Sequence, residues 1–241
     1  YDVSDINNVF ELDRIRSNAG SGVIPHNTHY LNGFVITSYY RDGVTIHDVS
    51  RPGNMIEVGN YDSYSQGQGN GFNGDWGAYP WLRSGNIIIS DIENGLFILG
   101  PNYVRACFLE GTITDQISSN PIPNATATIL TTSASDDTDI SGFYATGVAD
   151  SGTYQVVYSA PGYISDTVTT TLDNGVLTIV DVQLGNLPAF SLTGQVLDFS
   201  TGDPIENALV TWYIPGSNNP TNMITDQFGS VEFSVGSEVN G

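Results

Sequence analysis

"GTITDQISSNPIPNATAT" (residues 111–128) returns further along the chain as "GQVLDFSTGDPIENALVT" (194–211). At a constant offset of 83 residues the match pairs Gly111 with Gly194, Asp115 with Asp198, Pro121 with Pro204, Ile122 with Ile205, Asn124 with Asn207, Ala125 with Ala208 and Thr128 with Thr211. Beyond it, "TDISG" (138–142) matches "TDQFG" (225–229), so the similarity extends past a single strand. Self-similarity of this kind marks two copies of one structural unit. Inside the first copy the runs "ATATIL", "TYQVVYS", "DTVTTTL" and "LTIVDVQL" alternate in the two-residue period of half-buried strands. They predict a small antiparallel β-sandwich over 109–185. "GNLPAF" (185–190) reads as the linker, kept extended by Pro188. A second sandwich of the same type over 186–241 is about a third shorter than the first, so the chain is expected to end inside a domain.

Upstream, a different repeat appears. "YDVSDINNVFEL" (1–12) returns as "HDVSRPGNMIEV" (47–58), pairing Asp2 with Asp48, Val3 with Val49, Ser4 with Ser50, Asn8 with Asn54 and Glu11 with Glu57. "GFVITSYYRDGVTI" (33–46) matches "GNIIISDIENGLFI" (85–98) at an offset of 52. The runs "FVITSYY", "VTIHDV", "NIIIS" and "LFIL" are β-branched and aromatic, stop after a few residues and lack helical periodicity. "RDG" (41–43) and "ENG" (93–95) suit tight hairpins, because Asp-Gly and Asn-Gly reach the positive φ angles those turns need. Repeats of about 40 to 50 residues built this way predict the four-stranded blades of a β-propeller. Residues 1–108 hold two to three blades, too few to close a ring, so the chain is expected to begin inside a blade.

The composition sets limits on partners. Twenty-six acidic residues face six arginines and no lysine, a formal net charge of −20. Phosphate binding needs clustered cations, so nucleic acid is excluded as a partner, and the absence of lysine excludes Schiff-base chemistry. All six arginines and all three histidines precede residue 106, while 15 acidic residues follow it, which places a domain boundary at 105–110. No stretch of 18 apolar residues predicts a membrane span, and no basic-then-apolar start predicts a secretion signal. Cys107 stands alone in "VRACFLEG" and reads as a buried small hydrophobe.

Two families are resembled. "IPHNTHYLNGFVITSYYRDGVTIHDVSRPGNMIEVGNYDS" with "GFNGDWGAYPWLRSGNIIISDIENGLFIL" (within 24–99) resembles the choice-of-anchor B family of surface proteins, whose LVIVD-type repeats form a propeller. That resemblance implies a secreted, surface-attached protein of Bacteroidetes type, hence of a Gram-negative bacterium, with sandwich modules after the propeller and no associated activity. Residues 109–185, and the start of a second copy at 190–241, are similar to carboxypeptidase regulatory-like modules. The pattern G-x-I/V-x-D…P-I-x-N-A-x-V/A-T with T-D-x-x-G-x-Y/V carries this similarity, and it implies a transthyretin-like sandwich that serves as spacer or binding platform.

Four constellations carry candidate chemistry. Asp137, Asp139 and Ser141 in "DTDISG" open like a calcium loop, with alternate oxygens facing one cation, although Val148 stands where such a loop has its last glutamate. Asp75, Trp76, Tyr79 and Trp81 in "FNGDWGAYPWL" (72–82) mix stacking rings with hydrogen-bonding groups, the chemistry that holds sugars. His26, His29 and His47 raise zinc, without a fourth ligand. Asn124 begins an Asn-Ala-Thr sequon, and Thr167 sits in an Asp-Thr-Val pattern of O-glycosylation. No nucleophile elbow, zinc-protease, Walker or Rossmann motif appears, so no catalytic residue is assigned. The sequence therefore reads as all-β, a partial propeller followed by tandem transthyretin-like antiparallel sandwiches. Its expected role is non-enzymatic, extracellular or at the cell surface, in adhesion, scaffolding or assembly. No cofactor is required, and calcium is a candidate ligand. Its partners are the remainder of its own propeller or neighbouring chains, and surface glycans. The alternatives are a carbohydrate-binding or carbohydrate-processing surface protein and a subunit of an extracellular filament.

Overall fold

A computed structural model of the chain describes residues 1–17, 22–67, 69–188, 190–213 and 220–235. Among them all regular structure is β-strand, and no helix is long and apolar enough to cross a membrane. The first sheet is a four-stranded antiparallel meander of β1 (Asn27–Leu31), β2 (Phe34–Ser38), β3 (Val44–Asp48) and β4 (Ile56–Tyr61). The second is a three-stranded meander of β5 (Asp75–Tyr79), β6 (Ile87–Asp91) and β7 (Gly95–Leu99). Phe34, Ile36, Val44 and Ile46 on one face of the first sheet bury against Ala78, Ile87 and Ile89 of the second.

The repeats seen in the sequence are repeats of hydrogen bonding. Ile36 pairs with Ile46 and Ser38 with Val44 across β2 and β3, and at an offset of 52 Ile88 pairs with Ile98 and Ser90 with Leu96 across β6 and β7. The equivalence has a consequence for packing. Val44 and Ile46 are buried at 2% and 9%, whereas their counterparts Leu96 and Ile98 are 65% and 62% exposed. The face that the first sheet buries is thus open on the second. At the N-terminus, Asp2 bridges Phe10 as Asp48 pairs with Ile56. Asp2 accepts from the Ser4 N–H as Asp48 does from Ser50, and Asn8 N–H reaches Asp5 O as Asn54 N–H reaches Arg51 O. Residues 2–10 therefore rebuild the β3–β4 connection bond for bond.

The sandwich begins with β8 (Cys107–Asp115) and continues through β9 (Thr126–Ile129), β10 (Ser135–Asp137), β11 (Phe143–Val148), β12 (Gly152–Ser159), β13 (Asp166–Leu172), β14 (Leu177–Ile179) and β15 (Val182–Leu184). One sheet runs β10-β9-β12-β13, and the other is built around β8, flanked by β11 on one side and by β14 and β15 on the other. Leu109, Ile113, Ile129, Tyr144, Val156, Tyr158, Leu172 and Leu184 fill the space between them. At about 25 cal/mol per Å² of apolar area removed from water, such burial is the main favourable term in folding the unit.

Two expectations need correction here. The sandwich is not wholly antiparallel, because β14 and β15 both run parallel to β8. "LTIVDVQL" is also two strands rather than one. Val180 turns its carbonyl toward β8, where it accepts from the Tyr144 hydroxyl (2.8 Å), and Asp181 accepts from the Thr112 N–H and hydroxyl (both 2.8 Å). Gly111 allows that approach, since a Cβ there would lie 2.0 Å from Val180 O.

In the second copy β16 (Phe190–Gln195) pairs with β19 (Ser230–Val235), and β17 (Leu209–Trp212) with β18 (Thr221–Ile224). The duplication again holds at the level of single bonds. Thr138 Oγ1 donates to Ile122 O (2.6 Å) and accepts from Ala125 N (2.9 Å); Thr225 does the same with Ile205 O (2.7 Å) and Ala208 N (2.9 Å). Thr114 bridges Pro121 as Leu197 bridges Pro204, and Asn124 and Asn207 share a positive φ of 57° and 60°. Part of the predicted linker, residue 189, lies outside the described residues.

Candidate functional site

β5 carries an exposed aromatic edge. A register shift between Asp75 and Gly77, where β5 meets β6, breaks the strict alternation of the strand. Trp76 and Tyr79, three residues apart, both face outward and are about half exposed, as is Trp81 just beyond the strand end. The rings meet side chains that the sequence reading placed elsewhere. His26 lies against Trp76 (centroids 4.3 Å apart) and His29 against Trp81 (4.8 Å), while Tyr79 and Trp81 meet edge to face at 5.3 Å. The exposed Phe72 extends the surface, seated edge to face on the buried Tyr40 at 5.3 Å. The sequence signal for this was indirect, because His26 and His29 lie in and beside β1, about fifty residues from the rings they support. Among the described residues no three His, Cys, Asp or Glu side chains come together as a metal-binding set.

Asp75 does not belong to that surface. It is fully buried, and its Oδ1 accepts from the Gly77 N–H (3.1 Å) while Oδ2 has no partner among the described residues. Burial, with a smaller contribution from the Asp91 charge, pushes its carboxyl up to about 7. His47 on β3, also buried, is driven the other way, to about 4, by desolvation. The two groups act oppositely on stability. Asp75 contributes stability that is present below the unfolded carboxylate pKa and lost as pH rises through about 7. His47 contributes stability that is present above about 6.5 and lost as pH falls through about 4. Between these limits the two slopes cancel, and each is worth on the order of 3 kcal/mol in full. Asp75→Asn keeps the acceptor for Gly77. It is expected to raise the melting temperature at pH 8 and to expose the fall below pH 6.5 that His47 causes, as read by calorimetry across pH 4–8.

The other organised polar feature is the joint between the first sheet and the sandwich. Arg105, in the short connection between β7 and β8, donates to Asp48 Oδ1 (2.8 Å), Gly33 O (3.0 Å) and Asn32 O (2.6 Å), and its guanidinium lies 4.2 Å from the Phe34 ring centroid. Asp48 Oδ2 also accepts from Ala106 N (2.9 Å). Arg51, in the β3–β4 turn, forks onto both oxygens of Glu110 in β8 (3.0 Å each). Asn54 reaches Glu110 and the Thr146 carbonyl (both 3.1 Å), and Asn174 reaches Arg105 O and Ala149 O. A bidentate arginine fixes orientation as well as distance.

With the sandwich's strand order and the Thr138 turn established, its relationship can be stated. Residues 109–185 match the carboxypeptidase regulatory-like domain. No curated protein matches the chain. Among solved structures, the Bacillus anthracis TIE protein is 12% identical with a TM-score of 0.37; the alignment covers 90% of this chain and 49% of that one, so the chain spans about half its length. The Streptococcal ancillary pilin is 13% identical with a TM-score of 0.40, covering 79% of this chain and 68% of that one.

Within the regulatory-like module the remaining predicted residues fall into separate roles. Asp139 Oδ1 accepts from Ser141 N, Ser141 Oγ and Phe143 N, closing a turn, while Asp137 Oδ1 accepts from the Thr126 hydroxyl on β9 (2.6 Å). Asp226 closes the equivalent turn through Phe228 N and Ser230 N (both 2.8 Å), in a copy where Ile224 stands in place of Asp137. Asp139 and Ser141 thus share one turn, while Asp137 is held to β9. Asn124 and Thr167 are exposed, the first at a tight turn and the second near the start of β13. Cys107 is buried in the module's core, and desolvation pushes its thiol up to about 11.

Proposed function

We propose that this is a non-enzymatic extracellular or cell-surface protein. In this reading the two meanders are blades of a β-propeller held in fixed orientation on a regulatory-like stalk, and the whole serves adhesion, scaffolding or assembly. The observation that carries it is the joint, where five hydrogen bonds from Arg51 and Arg105 tie two turns of the first sheet to the first strand and entry of the module. A flexible tether needs none of these contacts. The blade reading draws on the register that repeats at 52 residues and on the open Leu96–Ile98 face, which a further sheet of the same kind would cover as the second covers the first. Calorimetry of the full chain tests the joint: the sheets and module are expected to unfold in one transition, and an Arg51→Ala/Arg105→Ala variant in two. Two transitions in the parent would overturn the reading, and turnover of a glycan or peptide would overturn its non-enzymatic part.

The exposed rings favour a second reading, in which the aromatic edge binds glycans. Trp76, Tyr79 and Trp81 present faces on which the apolar side of a pyranose can stack, at a worth of about 1 kcal/mol per ring. Trp81→Ala is expected to lower affinity for an oligosaccharide that binds the parent about tenfold, by titration calorimetry. Unchanged affinity would place the ligand elsewhere.

A further inference from the structure

Beside Trp81 the aromatic edge opens into a cavity of about 390 Å³ between the β1–β2 hairpin and the loop from Pro80 to Gly85. The volume is in the range of small-ligand sites, which pair apolar walls with a few placed polar groups. Leu31, Phe34 and Trp81 supply apolar wall, and Tyr103 and Arg83 supply polar groups. The Tyr103 hydroxyl is buried with no hydrogen-bond partner among the described residues. Such a group is uncommon enough in folded proteins to require an explanation.

Arg83 is the decisive residue. Six arginines serve a chain with 26 acidic residues, and most are engaged within the protein: Arg14 with Glu11, Arg41 with Asn73, Arg51 with Glu110 and Arg105 with Asp48. Arg83 is exposed on the cavity wall and makes no ion pair or hydrogen bond among the described residues. A guanidinium beside apolar surface is weakly hydrated and presents a planar fork that fits a carboxylate.

We propose that this cavity is a subsite for an acidic sugar, a pyranose bearing a carboxylate. Trp81 stacks on the ring, Arg83 pairs with the carboxylate, and the Tyr103 hydroxyl is the donor nearest the sugar oxygens. The inference rests on the glycan reading and names the class of sugar. The cavity's cation singles out an anion against the repulsion of a net −20 chain, and that repulsion is confined to about 8 Å at physiological salt.

The test compares a galacturonic acid trisaccharide with its methyl ester, the same sugar without charge, by titration calorimetry against the full chain and its variants. The acid is expected to bind about tenfold tighter than the ester, the size of one charge-assisted pair. Arg83→Gln should abolish that difference while leaving the circular dichroism spectrum unchanged, and Trp81→Ala should weaken both sugars. Raising the salt should shrink the preference of the parent toward that of Arg83→Gln. Equal binding of acid and ester, lost in Trp81→Ala, would overturn the acidic subsite and leave the glycan reading standing. Binding of neither sugar would overturn both.

Discussion

Arg105→Ala is expected to destabilise the chain by about 3 kcal/mol and to loosen the sheets from the module, because it leaves a buried carboxylate without its cation. Asp48 is fully buried. Burial pushes its carboxyl up, but hydrogen bonds from Ser50, from the Ala106 N–H and from Arg105 outweigh this and hold it below the usual carboxylate range. The figure sits at the low end for a broken buried pair, since the Arg105 side chain is 36% exposed and Asp48 keeps its two backbone donors. Arg105→Lys restores the charge but not the fork that reaches Gly33 O and Asn32 O, so it is expected to recover about half of the loss. Asp48 is held below its unfolded pKa, so the contribution is present above the carboxylate range and disappears as pH falls through it. Urea unfolding at pH 7 and pH 3 checks this: a loss equal at both pH values would contradict the ion pair.

The second large effect is predicted at a glycine that both sandwich copies share. Gly111→Ala is expected to cost about 3–5 kcal/mol, combining a forced separation of β8 from residue 180 with loss of the buried Tyr144–Val180 bond. The added Cβ would meet Val180 O at 2.0 Å and the Tyr144 hydroxyl at 3.0 Å, and backbone cannot rotate away as a side chain can. Gly194 occupies the matching position, yet a Cβ there would meet only a Val231 methyl at 3.6 Å. Gly194→Ala is therefore expected to change stability by less than about 0.5 kcal/mol. Thermal melts of the two variants measure the contrast, and equal shifts would show that the glycine is kept for its backbone and not for the close approach.

Much of this fold was legible because its units repeat. A match such as Asn124 with Asn207 or Gly43 with Gly95 aligns turns before any coordinate is known, and turns fix register. Other features were hidden for definable physical reasons. The break at Val180 falls within an unbroken run of β-forming residues, and only the facing Gly111, some seventy positions away, reveals it. Parallel pairing of β14 and β15 with β8 follows from the chain changing sheets at the Asp173–Gly175 turn, which alternation does not encode. At the aromatic edge the rings could be named from "DWGAYPWL", but Asp75 could not be separated from them, because a register shift decides which residues of a strand face water. The joint was equally invisible, since Arg51 and Glu110 are 59 residues apart and read individually as surface charge.

The proposed role requires that the sheets and the regulatory-like module form one rigid body. Spin labels at Ser84→Cys and Ser151→Cys, both exposed positions on opposite sides of the joint, measure it by pulsed dipolar spectroscopy, with Cys107 buried and out of reach of the label. A single narrow distance distribution is expected, one that broadens when Arg51 and Arg105 are both replaced by alanine. A broad distribution in the chain with both arginines intact would contradict it.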